Sequence, residues 1–421
     1  MRELISVAEA REIIMEAVGP LPPVRKNLSD ALYCTLAEDV RSDVNLPPFD
    51  NSGMDGYAVA HADLGDIPVE LKIIDDVPAG AYPKEFIRHG TCVRVMTGAP
   101  IPEGADTVIP VEETEAAGED VVRILRAAAP GEHVRRAGED VRAGDVVLVK
   151  GTVVTPPVCG MLAALGVENP AVACPPVVAV ITTGDELVDA SEAPGPGQIR
   201  NSNGPALAAQ VVSAGGVPLA PVTVRDSEQH LRTAIENALQ ADVIVLSGGV
   251  SVGVHDHVKL VLAEMGMKTL FWRVRQRPGK PMVFGTLDGK PVFGLPGNPV
   301  SSSICFEEYV RPCLAAMLGR KVFWPDLVPA ILTDETKKRK GLYYFTRGIA
   351  RFGQDGRLYV RDTGPQGSGL YSSMVRANCV IHLPEEAEDQ PAGSEVSIEW
   401  AQWLPPGAFP RLKAQERSES G

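Results

Sequence analysis

Four loops between residues 177 and 325 combine residue types that bind anions with residue types that bind cations. Thr182-Thr183-Gly184-Asp185-Glu186 closes an apolar run, and Ser247-Gly248-Gly249-Val250-Ser251-Val252-Gly253 follows DVIVL and leads to Asp256. Arg277-Pro278-Gly279-Lys280-Pro281 is the third loop, and Leu295-Pro296-Gly297-Asn298-Pro299 opens a helix. Glycines such as Gly248 and Gly249 let backbone N–H groups approach a ligand closely, and a helix N-terminus behind them favours phosphate. Three carboxylates, Glu186, Asp226 and Asp256, each lie just beyond an expected strand. A hard cation such as Mg²⁺ takes one or two carboxylates together with phosphate oxygens and water, so these three are the expected metal ligands. Asp226 also stands where it would cap a helix, and the two roles are compatible. Arg273, Arg277 and Lys280 add the positive charge that phosphates and a second anion require.

Other chemistries find less support. His255 and His257 flank Asp256, but no third histidine or cysteine is near enough in sequence to complete a transition-metal set. There is no Walker A loop, and the expected loop-to-ligand reading of Gly249-Val250-Ser251-Val252-Gly253 is preferred over a nucleophile–His–Asp triad. The seven cysteines are scattered with no C-x-x-C, which fits reduced thiols. A net charge of −14 disfavours nucleic acid as a partner, and the basic run Lys337-Lys338-Arg339-Lys340 reads as a solvated turn. No run of about 18 apolar residues suggests a membrane span. The opening MRELISVAEAREII has acidic residues and no apolar signal core, so a cytoplasmic location is expected.

The elements that must hold these loops follow from hydrophobic period. Ser6-Val7-Ala8-Glu9 is a capping box for a helix through about Val18, and a second short helix is expected near Ser29. From Leu46 to Asp140 the chain reads as short strands between Gly and Pro turns. A helix is expected from Pro156 to Leu165. Beyond Pro175-Pro176, strands and helices alternate: VVAVITT, GPALAAQVVSAG, VPLAPVTV, SEQHLRTAIENALQ, DVIVLS and HVKLVLAEMG. A strand pair around Asp288-Gly289 and a helix from Pro299 to Leu318 complete the set. Alternation of this kind predicts a mostly parallel sheet with helices on both faces, whose strand ends present the loops to one ligand. After Trp324-Pro325 the chain is β-rich again. The expected organisation is a first domain in two parts, 1–45 and 141–176, split by a β-rich insertion at 46–140. An α/β domain at 177–325, a β module at 326–405 and a disordered tail at 406–421 follow.

In this order, PFDNSGMDGYAV, MTGAPIPEGADTV, RRAGED, TTGDEL, SGGVSVG, RPGKP and LPGNPVSS resemble the molybdopterin molybdenumtransferase family, related to the E domain of gephyrin. The similarity runs from about residue 6 to 405. The resemblance implies a multidomain α/β plus β fold: a molybdopterin-binding α/β domain, the β-rich inserted domain and a C-terminal β-barrel, assembled as a homodimer. It implies Mg²⁺-dependent insertion of molybdate into adenylylated molybdopterin, with release of AMP. By motif match it adds Asp55 and Asp140 to Glu186, Asp226 and Asp256 as catalytic residues. Thr97, Arg135, Pro296, Pro299, Ser301, Arg347 and Ser368 join Gly248, Gly249, Ser251, Arg273, Arg277 and Lys280 as substrate-binding residues. The partners implied are the pterin and the oxyanion, with an adenylyltransferase and molybdoenzyme apoproteins on either side of the reaction. Tungstate stays open beside molybdate. Adenylyl transfer to molybdopterin and a non-catalytic scaffold of the same fold are the rival readings.

Overall fold

The capping box at Ser6 forms as the sequence dictates. In a computed structural model, which describes residues 2–249, 257–321 and 323–404, the Ser6 hydroxyl accepts from the Glu9 N–H and the Glu9 carboxylate accepts from the Ser6 N–H. The helix Val7–Ala17 starts there and buries Val7, Ala10 and Ile14. Ser251, Asp256 and the tail at 406–421 lie outside the described residues. The described chain divides into two compact units. One comprises the residues up to Ala37, Gly151–Val158 and those from Asn169 onward; the other is Glu38–Lys150 with Cys159–Glu168.

In the first unit, strand-and-helix alternation builds one eight-stranded sheet. Its order is Arg2–Ile5, Lys268–Val274, Val283–Leu287, Lys290–Leu295, Val243–Ser247 and Val177–Thr183, with Val217–Pro218 and Val222–Val224 both beside the last. Five of its pairings are parallel. The antiparallel pairings belong to Val283–Leu287, one of them through the hairpin at Asp288-Gly289. Both hairpin residues have positive φ, 51° and 77°, as the primed hairpin turns demand.

Period-two alternation sends successive side chains to opposite faces. Val178, Val180, Val243 and Val245 pack in one core beneath the helices Val7–Ala17 and Asn203–Ser213. Ala179, Ile181, Ile244 and Leu246 pack in another, against Glu228–Ala238 and His257–Glu264. Each such aliphatic side chain contributes about 1.5–3 kcal/mol when fully buried, so both faces hold the sheet edge rigid.

Three details differ from the sequence expectation. The run VPLAPVTV is two short strands, because Pro218 and Pro221 have no N–H to donate to a ladder. Near Ser29 there is only a single 3₁₀ turn, Leu28–Asp30. Arg2–Ile5, placed in the first domain on sequence, is an edge strand of the α/β sheet.

The long C-terminal helix of this sheet passes through Pro299–Cys305, a π-helical turn Phe306–Val310 and Arg311–Met317. After it come the strands Val328–Leu332, Tyr343–Phe352, Leu358–Asp362, Cys379–Leu383 and Glu395–Trp400. Tyr343–Phe352 pairs with both Leu358–Asp362 and Cys379–Leu383, which closes a five-stranded barrel. The second unit carries a six-stranded sheet, in the order Thr114–Ala116, Val121–Ile124, Val69–Val77, Thr91–Val95, Gly56–Val59 and Thr107–Pro110. Among the described residues, no helix is long and apolar enough to cross a membrane.

Candidate functional site

The carboxyl ends of Val177–Thr183, Val243–Ser247 and Lys290–Leu295 open onto a cleft of about 600 Å³. Glu186, Asp226, Gly248, Gly249, Pro296 and Pro299 all line it. Strand ends of a parallel sheet are where the chain must turn away together, so loops distant in sequence meet there. Gly248 has φ 106°, and a Cβ on it would stand 2.4 Å from the Thr183 carbonyl oxygen; only glycine lets the two loops touch. Asp226 Oδ1 accepts from the Thr183 hydroxyl, and Asp185 Oδ1 accepts from the Asp226 N–H at 3.2 Å. The first loop therefore positions the second carboxylate.

Glu186 folds over Gly184, where a Cβ would meet its carboxyl oxygens at 2.6–2.9 Å. Two exposed carboxylates on a cleft lined also by glycine, proline, hydroxyl and amide groups, with Leu187, Ile199 and Arg200 completing its wall, fit a hard divalent cation that completes its shell with ligand oxygens. Asp256, the third expected ligand, lies outside the described residues. His257 is within 3.4 Å of Glu228 on the neighbouring helix, which gives it a partner without a metal.

Two asparagines that the sequence reading passed over tie this cleft together. Asn203 Nδ2 donates to Ser247 Oγ at 2.9 Å and to the Gly297 carbonyl at 2.8 Å, joining two of the loops. Asn201 Nδ2 donates to Thr182 Oγ1 at 2.7 Å and Thr223 Oγ1 at 2.8 Å. The available signal was the run Asn201-Ser202-Asn203 immediately before a helix. Ser301 is buried in the first turns of the long helix, and Ser368 gives its carbonyl to the Val300 N–H.

Arg200 lines this first cleft, and a larger group of cations gathers elsewhere in the same unit. A second cleft of about 320 Å³ is lined by Arg277, Pro278, Lys337, Tyr344, Arg347 and Asp362, among others. Arg347 is buried and donates to Ser373 Oγ at 3.0 Å and the Gly367 carbonyl at 3.2 Å. Burial, and then the neighbouring Arg277 guanidinium, push its pKa down to about 10. Two guanidiniums facing one cavity repel each other, and an oxyanion between them relieves that repulsion. The loop 277–281 borders both clefts, since Pro281 lines the first.

Arg273 and Lys280 line neither cleft. Arg273 pairs with Glu3 at 3.2 Å and stacks over Trp272. The basic run expected as a solvated turn is in fact partly buried: Lys338 donates to the carbonyls of Ala387 at 2.6 Å and Glu385 at 3.3 Å.

In the second unit, Asp55 Oδ1 accepts from the Thr97 N–H at 2.6 Å and from its hydroxyl at 2.7 Å. The backbone bond, then the hydroxyl, holds this exposed carboxyl below the ordinary aspartate range. Arg135 is exposed on a strand that pairs with Asn51–Ser52, and the Asp140 N–H donates to the Leu46 carbonyl.

The sequence matches the MoeA N-terminal region (domain I and II) over residues 5–166, a probable molybdopterin binding domain over 179–316 and the MoeA C-terminal region (domain IV) over 329–400. It is 37% identical to the molybdopterin molybdenumtransferase of Haemophilus influenzae, across 94% of this chain and 98% of that protein. The chain belongs to the molybdopterin molybdenumtransferase family. Its relative in Bacillus subtilis is 34% identical, with 88% of each chain covered. Among solved structures, a molybdopterin biosynthesis moeA protein from Pyrococcus horikoshii OT3 superposes with a TM-score of 0.79 at 31% identity, covering 94% of this chain and all of that one. The fold expected for the family is the fold observed, down to the closed C-terminal barrel.

Proposed function

We propose that this transferase inserts molybdate into adenylylated molybdopterin with Mg²⁺, releasing AMP and forming molybdenum cofactor, as a homodimer in the cytoplasm. The observation that carries the reading is the pairing, within one unit, of an acidic glycine-rich cleft with a cleft holding two guanidiniums. The reaction brings together two anions, a phosphoanhydride and a molybdate dianion, whose mutual repulsion has to be offset before they can meet.

Each part has a stated task. The loops at Gly248 and Gly297 present backbone N–H groups, and the helix from Pro299 presents its N-terminus, to the pterin phosphate. Glu186 and Asp226, with Asp256, would hold Mg²⁺, which supplies charge neutralisation at the phosphoanhydride. Thr183 fixes the Asp226 carboxylate, and Asn203 keeps the second and fourth loops in register. Arg277 and Arg347 hold the oxyanion, molybdate or tungstate. Asp55, held ionised by Thr97, together with Arg135 and Asp140, serves the same reaction from the inserted module.

The deciding assay incubates purified protein with Mg²⁺, molybdate and adenylylated molybdopterin. AMP is expected to appear in step with molybdenum cofactor. Pyrophosphate release from ATP and molybdopterin, without that step, would assign the adenylyltransferase reaction instead. Neither product would make the chain a scaffold.

A further inference from the structure

Away from both clefts, three metal-ligating side chains meet where the long helix packs on the barrel. Glu308 comes from the π turn Phe306–Val310, His382 from Cys379–Leu383 and Glu399 from Glu395–Trp400. One ligand atom from each lies within 4.8 Å of the other two. All three residues are buried, at 1%, 3% and 5% exposure. The wide π turn alters the side-chain register of the helix, and both Glu307 and Glu308 end inside.

The partners of these groups do not balance. Glu307 is satisfied: it accepts from Gln210 Nε2 at 2.6 Å and Arg311 Nε at 2.5 Å. Glu308 accepts from Arg11. Glu399 has no guanidinium or ammonium partner among the described residues, which leaves three carboxylates against two guanidiniums. His382 Nδ1 lies 3.1 Å from the Tyr343 hydroxyl. Its other nitrogen, Nε2, is buried and makes no hydrogen bond among the described residues. Glu399 Oε2 lies 3.2 Å from Nε2 but out of line for such a bond. An imidazole nitrogen without a hydrogen-bond partner, facing two buried carboxylates, is an unmet polar atom aimed into a set of metal-ligating groups.

We propose that Glu308, His382 and Glu399 bind a divalent transition-metal ion, zinc in the first instance, that fastens the C-terminal barrel to the long helix. One nitrogen and two oxygen donors suit zinc and its neighbours, whereas Mg²⁺ prefers an all-oxygen, water-rich shell. Metal–ligand bonds of about 2.1 Å require the donors to close in modestly, which small rotations of the carboxylates supply. The surroundings have the form of an outer shell. The Tyr343 hydroxyl sits at Nδ1 and leaves Nε2 as the ligating atom, Arg11 braces Glu308, and Phe345 stands edge-on to the imidazole. The site is closed to substrate and separate from the Mg²⁺ site proposed above, so its role is structural.

The test is metal analysis of the untagged full chain, stripped with a chelator and then equilibrated with Zn²⁺ and dialysed. Wild type is expected to retain one zinc per chain, and Glu186→Ala to retain the same. Glu399→Gln and His382→Asn are expected to lose it, with affinity down tenfold or more. Stripping should lower the melting temperature of wild type and Zn²⁺ should restore it, with neither variant responding. If His382→Asn does not fold, the near-isosteric Glu399→Gln carries the comparison alone. A wild-type chain that keeps no zinc, or a zinc content unchanged in Glu399→Gln, overturns the proposal. Transferase activity enters none of these readouts, so the result is independent of the proposed reaction.

Discussion

Glu186 and Asp226 stand exposed on the rim of glycine-rich loops, whereas Glu308 and Glu399 are buried between a helix and a barrel. The chemical group is the same and its surroundings assign it different work. On the rim, water screens the charge, so a carboxylate is held ready for a ligand at little cost to the fold. In the interior each carboxylate must be compensated by a fixed neighbour, so the same group becomes part of how two elements are joined. The pair at the rim is therefore judged by activity and the buried pair by stability.

That contrast can be broken by substitution. Glu308→Ala leaves the Arg11 guanidinium without its carboxylate, and unfolding in urea should report a loss of about 3 kcal/mol, the lower end for breaking a buried ion pair because Arg11 is partly solvated. A loss below about 0.5 kcal/mol, the usual range for surface changes, would place Glu308 with the rim carboxylates. Glu186→Ala and Asp226→Ala should do the opposite. AMP release is expected to fall by about 100-fold or more, the order of removing one preorganised electrostatic group, while the melting temperature holds. Full activity in both variants would remove the rim pair from the reaction.

The smallest effect sharpens the contrast from the surface side. Ser6→Ala removes the hydroxyl of the capping box and should cost about 1 kcal/mol. The Glu9 carboxyl is held below its ordinary value chiefly by the Ser6 backbone N–H, then by the Ser6 hydroxyl. Its contribution is present above the unfolded value and is lost as pH falls through the lower folded one. The stability difference between Ser6→Ala and wild type should therefore narrow in acid. A difference that stays constant from neutral pH into acid would detach Glu9 from the cap.

The rim was legible in the sequence because its signals are local. Gly184 and Gly248 break apolar runs, a carboxylate follows each break, and the strand ends of a parallel sheet have to converge. The capping box at Ser6 and the hairpin at Asp288-Gly289 were legible for the same reason. What escaped was tertiary. Glu308 and Glu399 lie in segments far apart in sequence, and nothing beside His382 marks it as a ligand-type residue. Lys338 sits in a run that looks solvated until the carbonyls of Glu385 and Ala387 are folded over it. Asn203 lacks charge and periodicity, and only the meeting of two loops gives it a task. Asp256 and Ser251, read from the sequence as a ligand and a binding residue, fall outside the described residues.

The strand Arg2–Ile5 pairs in register with Phe271, Trp272 and Val274. Its hydrogen-bonding partner Lys268–Val274 is synthesised long after it, with the whole second unit in between. In the second unit, by contrast, Thr114–Ala116 and Val121–Ile124 are neighbours and can pair as soon as both emerge. Until Lys268–Val274 arrives, Arg2–Ile5 lacks the strand it pairs with, and its backbone N–H and C=O groups stay open to other partners.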